Sequence, residues 1–151
     1  MREHSERIVI WGMSCVGKTT FAQQIDRPYL CFDALFPWHE IETFGLSVSA
    51  AMTYVGMVMA SHEQFVLDGW HLSDQEGGEF PSNTTSYVLY APYERIVGQY
   101  RAPVDDPEQH RVMFEKWYSI KHPSPTRYFV NDGSFVETSE DEFRLFQECN
   151  L

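Results

Sequence analysis

The chain predicts an α/β fold, and three observations carry the prediction. A glycine-bounded loop, Gly12-Met13-Ser14-Cys15-Val16-Gly17-Lys18-Thr19, stands between a β-branched run and a helical segment. Short apolar runs then alternate with helical patterns along the chain, the order expected of βαβ units. Two of those runs deliver an aspartate where they end, Asp33 and Asp68. In an open α/β sheet, that edge is where ligands bind.

The loop fits G-x-x-x-x-G-K-[ST], the phosphate-binding loop of nucleoside-triphosphate enzymes. Its context agrees. Arg7-Ile8-Val9-Ile10-Trp11 reads as a buried strand, and Phe21 and Ile25 lie four apart on one helix face before Pro28 closes the segment. Gly12 and Gly17 allow backbone geometry that a Cβ would obstruct, so successive N–H groups can point at phosphate oxygens. The helix starting near Gly17 adds its partly positive end. The expected nucleotide contacts are therefore Gly12, Met13, Ser14, Cys15, Val16, Gly17, Lys18, Thr19 and Thr20. Lys18 is expected to reach the β- and γ-phosphates of a bound nucleotide, and the Thr19 hydroxyl to ligate Mg²⁺.

At 151 residues, 43% of them hydrophobic, the chain is expected to form one domain with a proper core. No apolar run is long enough to cross a bilayer, and the polar start, Met1 to Glu6, has no signal-type apolar region; a cytoplasmic protein is expected. The net charge of −11 argues against a general nucleic-acid coat while leaving room for a local basic site. Eight of the 11 basic residues are arginines, and Arg95, Arg101, Arg111 and Arg127 fall in the second half. Arginine is the residue suited to bidentate phosphate binding. The three cysteines are odd in number and widely spaced, which predicts reduced thiols. The histidines show no zinc-type spacing with them.

Along the chain, Tyr29-Leu30-Cys31-Phe32 reads as a second strand ending at Asp33. That carboxylate is placed to accept the proton of an attacking hydroxyl, to help hold Mg²⁺, or simply to cap the next turn. Phe36-Pro37-Trp38-His39 puts two aromatics and a histidine beside it, fit either to sandwich a flat acceptor or to cover the core. Ile41 to Ala60 predicts one or two helices, with Gly45 and Gly56 as candidate interruptions. Gln64 to Leu67 is a third strand that delivers Asp68 in the Walker-B manner, the carboxylate orienting Mg²⁺ directly or through water. Gly77 to Asn83 reads as a loop, and Ser86 to Tyr90 as a fourth strand.

A helix is expected over Ala91 to Arg101, stopped before Pro103. Arg95 and Arg101 are about 240° apart around an ideal helix, so Arg101, next to the break, is the better candidate to reach over the phosphates. Asp106-Pro107-Glu108-Gln109 opens another helix running to about Lys121. On it Arg111 precedes Glu115 by four, the spacing of a surface ion pair. Arg127 to Val130, the turn Asn131-Asp132-Gly133, and Ser134 to Glu137 supply a last strand or hairpin. Ser139 begins a closing helix with Phe143 and Phe146 turned inward.

This order of parts resembles the P-loop kinases of the nucleoside-monophosphate kinase type over most of the chain. The carriers are Gly12 to Thr19, Val66-Leu67-Asp68-Gly69-Trp70, Glu94-Arg95-Ile96-Val97 with Arg101, the segment around Arg111, and Asn131-Asp132-Gly133. The resemblance implies a P-loop NTPase three-layer fold: about five parallel strands with helices on both faces. It also implies ATP with Mg²⁺ and phosphoryl transfer to a hydroxyl or phosphate, with Asp68 acting on Mg²⁺ through water and Arg101 and Arg111 clamping the moving phosphoryl. Only four residues separate Arg101 from Asp106, so any lid is minimal. The region after Asp33 lacks the arginine that an adenylate kinase uses on its acceptor phosphate. Asp33 instead resembles the aspartate of polynucleotide, gluconate and shikimate kinases, which act on a hydroxyl. In size and architecture the chain is also similar to small phage kinases, including those acting on 5-hydroxymethyluracil in DNA.

The expected activity is an ATP-dependent kinase acting on a hydroxyl of a nucleoside, nucleotide or modified base, the acceptor being a small molecule or part of a nucleic acid. Two alternatives stand beside it: a nucleotide-binding module or NTPase without an acceptor, and a kinase of another small alcohol. A regulatory GTPase would need an Asn-Lys-x-Asp segment, which the sequence lacks.

Overall fold

The computed structural model describes residues 7–12, 16–69, 83–98, 108–109, 112 and 126–150. At its centre lies β1, Arg7–Trp11, with Ile8, Val9 and Ile10 fully buried. A strand buried on both faces needs apolar side chains on both and a neighbour on each edge for its backbone groups. β1 has them. It pairs in parallel with β3, Phe65–Asp68, on one side and with β4, Thr84–Tyr90, on the other. Outside β3 lies β2, Tyr29–Cys31, and outside β4 lies β5, Thr126–Asn131, both again parallel. β6, Phe135–Thr138, completes the order β2-β3-β1-β4-β5-β6.

The sheet thus has six strands where about five parallel ones were expected, and the sixth is antiparallel. The reason is the connection. Asn131 to Ser134 is a tight turn, with Gly133 at φ 98° and the Asp132 N–H donating to Ser134 O at 3.3 Å. So short a link permits only a hairpin, because a parallel return needs a long crossover.

Helices cover both faces of the sheet. On α1, Lys18–Gln23, Phe21 packs against Phe129 and Phe135, with ring centroids 4.9 and 5.0 Å away. The neighbouring Tyr128 and the out-of-phase Tyr90 point to the opposite face, where Phe143 meets both, at 4.8 and 5.7 Å. Phe143 belongs to the closing helix α6, Glu140–Asn150, whose Ser139 hydroxyl accepts from the Glu142 N–H. Alternation along β4 and β5 therefore builds the three layers.

The segment from Ile41 to Ala60 resolves into two helices. After the short α2, Phe32–Leu35, come α3, Trp38–Phe44, and α4, Val48–Ala60. Gly45 ends α3 in the left-handed conformation at φ 68°, and Ser47 caps α4 by accepting from the Ala50 N–H at 3.1 Å. Gly56 interrupts nothing. Ala51, Met52, Val55 and Met59 form the buried stripe of α4 while Met57 stands exposed, so two of its three methionines are core.

β2 also ends earlier than expected. The strand stops at Cys31, and Phe32, fully buried, opens α2, so Asp33 lies in the first turn of that helix and not at the strand's last position. α5, Tyr93–Gly98, follows β4. Of the helix expected over 106–121, Glu108, Gln109 and Val112 are helical. The rest of that helix, the loop over 77–82 and the residues of the minimal lid lie outside the described residues. No helix among the described residues is long and apolar enough to cross a membrane.

Candidate active site

The phosphate loop joins the end of β1 to α1, and its geometry explains both of its bounding glycines. Gly17 has φ 103° and ψ 20°, the left-handed region, and its carbonyl accepts from the Phe21 N–H at 2.9 Å as α1 begins. A Cβ there would lie 3.0 Å from Asn131 Nδ2 and 3.3 Å from a Phe135 ring carbon. At Gly12 a Cβ would sit 2.8 Å from both the Leu89 carbonyl oxygen and Val16 Cγ1. The two glycines are therefore pressed against the ends of β4 and β5. Lys18, only 8% exposed, donates to the Gly12 carbonyl at 2.6 Å.

Asn131 ties the other side of the loop down. Its buried Nδ2 donates to the Val16 carbonyl at 3.0 Å across 115 positions of sequence. The sequence places Asn131 in a turn and carries no local signal for this contact, which exists because β5 extends past the end of β4 toward the loop.

Beside the loop, Thr19 Oγ1 donates to Asp68 Oδ2 at 2.9 Å. The two residues assigned to Mg²⁺ from sequence are thus in contact, brought together by the parallel pairing of β1 and β3 and by the start of α1. Asp68 is 5% exposed. A buried carboxylate needs donors, and it has a second one, the Tyr29 hydroxyl at 2.5 Å on the same oxygen. Burial, together with this hydrogen bond, pushes the Tyr29 phenol far above its ordinary range, so it stays a donor at neutral pH. Tyr29 has no signal in the sequence as a site residue. Register explains it: Cys31 lies opposite Asp68 on the adjacent strand, and the long Tyr29 side chain, two residues earlier, reaches along the sheet to the carboxylate.

Asp33 lies beyond the end of the same edge strand. Trp38 Nε1 donates to Asp33 Oδ1 at 3.4 Å, and the Trp38 ring packs on Phe36 at 4.4 Å and edge-on to Phe32 at 6.3 Å. Phe36, expected beside the acceptor or in the core, is in the core; Trp38 is 41% exposed. His39 faces Thr43 Oγ1 at 3.4 Å one helical turn on. Thr20 is exposed on the first turn of α1, and Arg95 is exposed on α5. Met13, Ser14, Cys15, Arg101 and Arg111 lie outside the described residues. Among the described residues no cluster of three or more His, Cys, Asp or Glu side chains is placed to hold a metal. Thr19 and Asp68 nonetheless fit Mg²⁺, which prefers oxygen ligands and takes few of them from the protein.

Three solved structures share this architecture. A gluconokinase from Sinorhizobium meliloti 1021 aligns with TM-score 0.58 at 17% identity, over 98% of this chain and 97% of its own. Shikimate kinase from Aquifex aeolicus vf5 aligns with TM-score 0.59 at 16% identity, over 95% and 97%. A sugar kinase from Janibacter sp. HTCC2649 aligns with TM-score 0.53 at 17% identity, over 84% of each chain. No protein-family model matches the chain, and no curated sequence matches it. The fold is the one these three structures share: a three-layer α/β sheet, here with the glycine-bounded loop after its central strand.

Proposed function

We propose that the protein is an ATP-dependent kinase that transfers the γ-phosphoryl group to a hydroxyl of a nucleoside, nucleotide or modified base, including 5-hydroxymethyluracil in DNA. The contact between Thr19 and Asp68 carries this reading. It pairs a phosphate-loop hydroxyl with a strand-end carboxylate at 2.9 Å, the arrangement that orients Mg²⁺ on a bound triphosphate. The likeness to a gluconokinase and a shikimate kinase supports transfer to an alcohol.

In this reading, bound Mg²⁺ would supply charge neutralisation for the triphosphate. The residues around it position and orient. Backbone N–H groups from Gly12 to Thr20 cradle the phosphates, and Lys18 leaves the Gly12 carbonyl for the β- and γ-oxygens. Thr19 and Asp68 hold the metal, and Tyr29 fixes the Asp68 carboxylate. Asp33 accepts the hydroxyl proton, while Arg101 and Arg111 clamp the moving phosphoryl. Such catalysis rests mainly on positioning and electrostatics.

Lys18→Ala tests the reading. It is expected to remove most turnover, measured as ADP formation and as mass gain of the acceptor, while the unfolding midpoint stays near wild type. Normal turnover in that variant refutes the proposal. ADP with free phosphate and no phosphorylated acceptor, across nucleosides, sugars and oligonucleotides, favours an NTPase instead. For a DNA-borne acceptor, activity falls steeply with salt, because cationic contacts to phosphates release counterions.

A further inference from the structure

We propose that the acceptor site takes an uncharged, planar ring that carries the reacting hydroxyl, with Trp38 as its platform and Asp33 at the hydroxyl. The inference rests on the phosphoryl-transfer reading and narrows its acceptor. It stands on charge and on geometry.

From Pro28 through Glu94 the sequence contains no lysine and no arginine. That stretch supplies β4 on one side of the phosphate loop's own strand and β2, α2, α3, α4 and β3 on the other, where Asp33 lies. Over the same stretch Asp33, Glu40, Glu42 and Asp68 place carboxylates. Holding a sugar acid's carboxylate or an acceptor phosphate calls for a guanidinium or an ammonium. On this side an anion would meet aspartates instead. Lys18 is buried against the Gly12 carbonyl, and Arg101 and Arg111 serve the moving phosphoryl in the proposed mechanism. The acceptor's reacting head is therefore neutral.

Trp38 gives the shape. One part of its ring is packed against Phe36 and Phe32, and its Nε1–H donates to Asp33 at 3.4 Å, which orients its polar edge toward the carboxylate. What remains is an exposed aromatic surface whose polar edge lies beside the carboxylate proposed to receive the proton. Aromatic platforms of this kind take flat rings by stacking and do not depend on their charge. A ring stacked there brings an exocyclic hydroxyl toward Asp33. The transfer then balances simply: the hydroxyl oxygen forms the new P–O bond, the bond from the γ-phosphorus to the β–γ bridging oxygen breaks, ADP leaves, and the hydroxyl proton passes to Asp33.

The test uses the full chain with ATP, Mg²⁺ and five acceptors: 5-hydroxymethyl-2′-deoxyuridine, the same base within a DNA oligonucleotide, gluconate, shikimate and the ring-free polyol glucitol. The Trp38 indole N–H resonance, assigned by its loss in Trp38→Phe, is followed in parallel without ATP. Expected is movement of that resonance with the nucleoside or the oligonucleotide and none with gluconate, shikimate or glucitol. Expected also is a kcat/KM at least about 100-fold lower for the two acids. Trp38→Ala should raise the KM of the ring acceptor about tenfold or more with a smaller change in kcat, and Trp38→Phe should restore most of it. Turnover of the nucleoside marks a free metabolite as the source and turnover of the oligonucleotide alone marks the polymer; either supports the proposal.

Comparable turnover of gluconate, shikimate or glucitol overturns the proposal, as does a wild-type KM in Trp38→Ala. A wild type giving no Lys18-dependent product with any acceptor sinks the transfer reading. The resonance titration still decides whether the ring site exists, and an unmoved Trp38 signal refutes it.

Discussion

Gly17→Ala probes the phosphate loop at its most constrained point. The perturbation adds one methyl group where φ is 103°. An L-residue in the left-handed region costs about 1–2 kcal/mol. The new Cβ would also stand 3.0 Å from Asn131 Nδ2, the atom that donates to the Val16 carbonyl. Moving that amide weakens a buried hydrogen bond, which adds about 1 kcal/mol. The total is a destabilisation of about 2–3 kcal/mol, or a fall of roughly 4–12 °C in the unfolding midpoint for a chain of this size.

Calorimetry and urea titration give the total, and a double-mutant cycle with Asn131→Ala separates its parts. If the methyl group acts partly by pushing Asn131 aside, that part vanishes once Asn131 is gone. The two substitutions together should then cost about 0.5–1 kcal/mol less than their sum. A Gly17→Ala variant within about 0.5 kcal/mol of wild type refutes the strain argument. Strict additivity refutes the coupling to β5 while leaving the backbone argument intact.

Two further outcomes are expected. Tyr29→Phe removes a hydroxyl donor from the Asp68 carboxylate and keeps the ring, so the gain in nucleotide affinity on adding Mg²⁺ should drop about tenfold while affinity in EDTA stays unchanged; equal losses in both conditions would mean that Tyr29 is only structural. At high pH the protein should lose stability. Burial raises the Tyr29, Tyr87 and Tyr128 phenols above their ordinary value of about 10, so folding holds their protons, and the stability this gives is complete below pH 10 and is lost as pH rises further. Urea midpoints measured from pH 8 to 11.5 check this, and Tyr87→Phe should flatten the decline.

The parts legible in the sequence are those where local pattern and tertiary context agree. β1 was readable as Arg7–Trp11 because a doubly buried strand is a continuous β-branched run. Thr19 and Asp68 were readable as neighbours because the loop and the strand-end carboxylate each have a chemical signature. Asp33 was legible as a residue near the sheet edge but not as a helical one, since Phe32 fits equally a strand's last position and a helix's buried first one. Tyr29 and Asn131 were not legible as site residues. Each acts through a contact set by strand register, Tyr29 across β3 and Asn131 across 115 positions, and register leaves no mark on residues either side.

The same distinction explains why the donor and acceptor halves of the site differ so much in definition. A triphosphate is recognised largely by backbone N–H groups and a lysine, so a loop of fixed spacing suffices, and its glycines are held by contacts to β4 and β5. An acceptor is recognised by side chains on helices whose sequence is otherwise free. In this chain α2 to α4 bury Phe32, Ala51, Met52, Val55 and Met59, leave Phe44, Tyr54 and Met57 exposed, and carry carboxylates as their only formal charges. Trp38 is one of several large apolar side chains left exposed there, at 41%, and it stands beside the buried Phe32 and Phe36. Burying the rest of that ring would gain hydrophobic free energy at no cost in polar groups, since its N–H is already bonded to Asp33. In the proposed reading, that exposed surface beside Asp33 receives the acceptor ring, and the absence of lysine and arginine from Pro28 through Glu94 is why the ring is taken as uncharged.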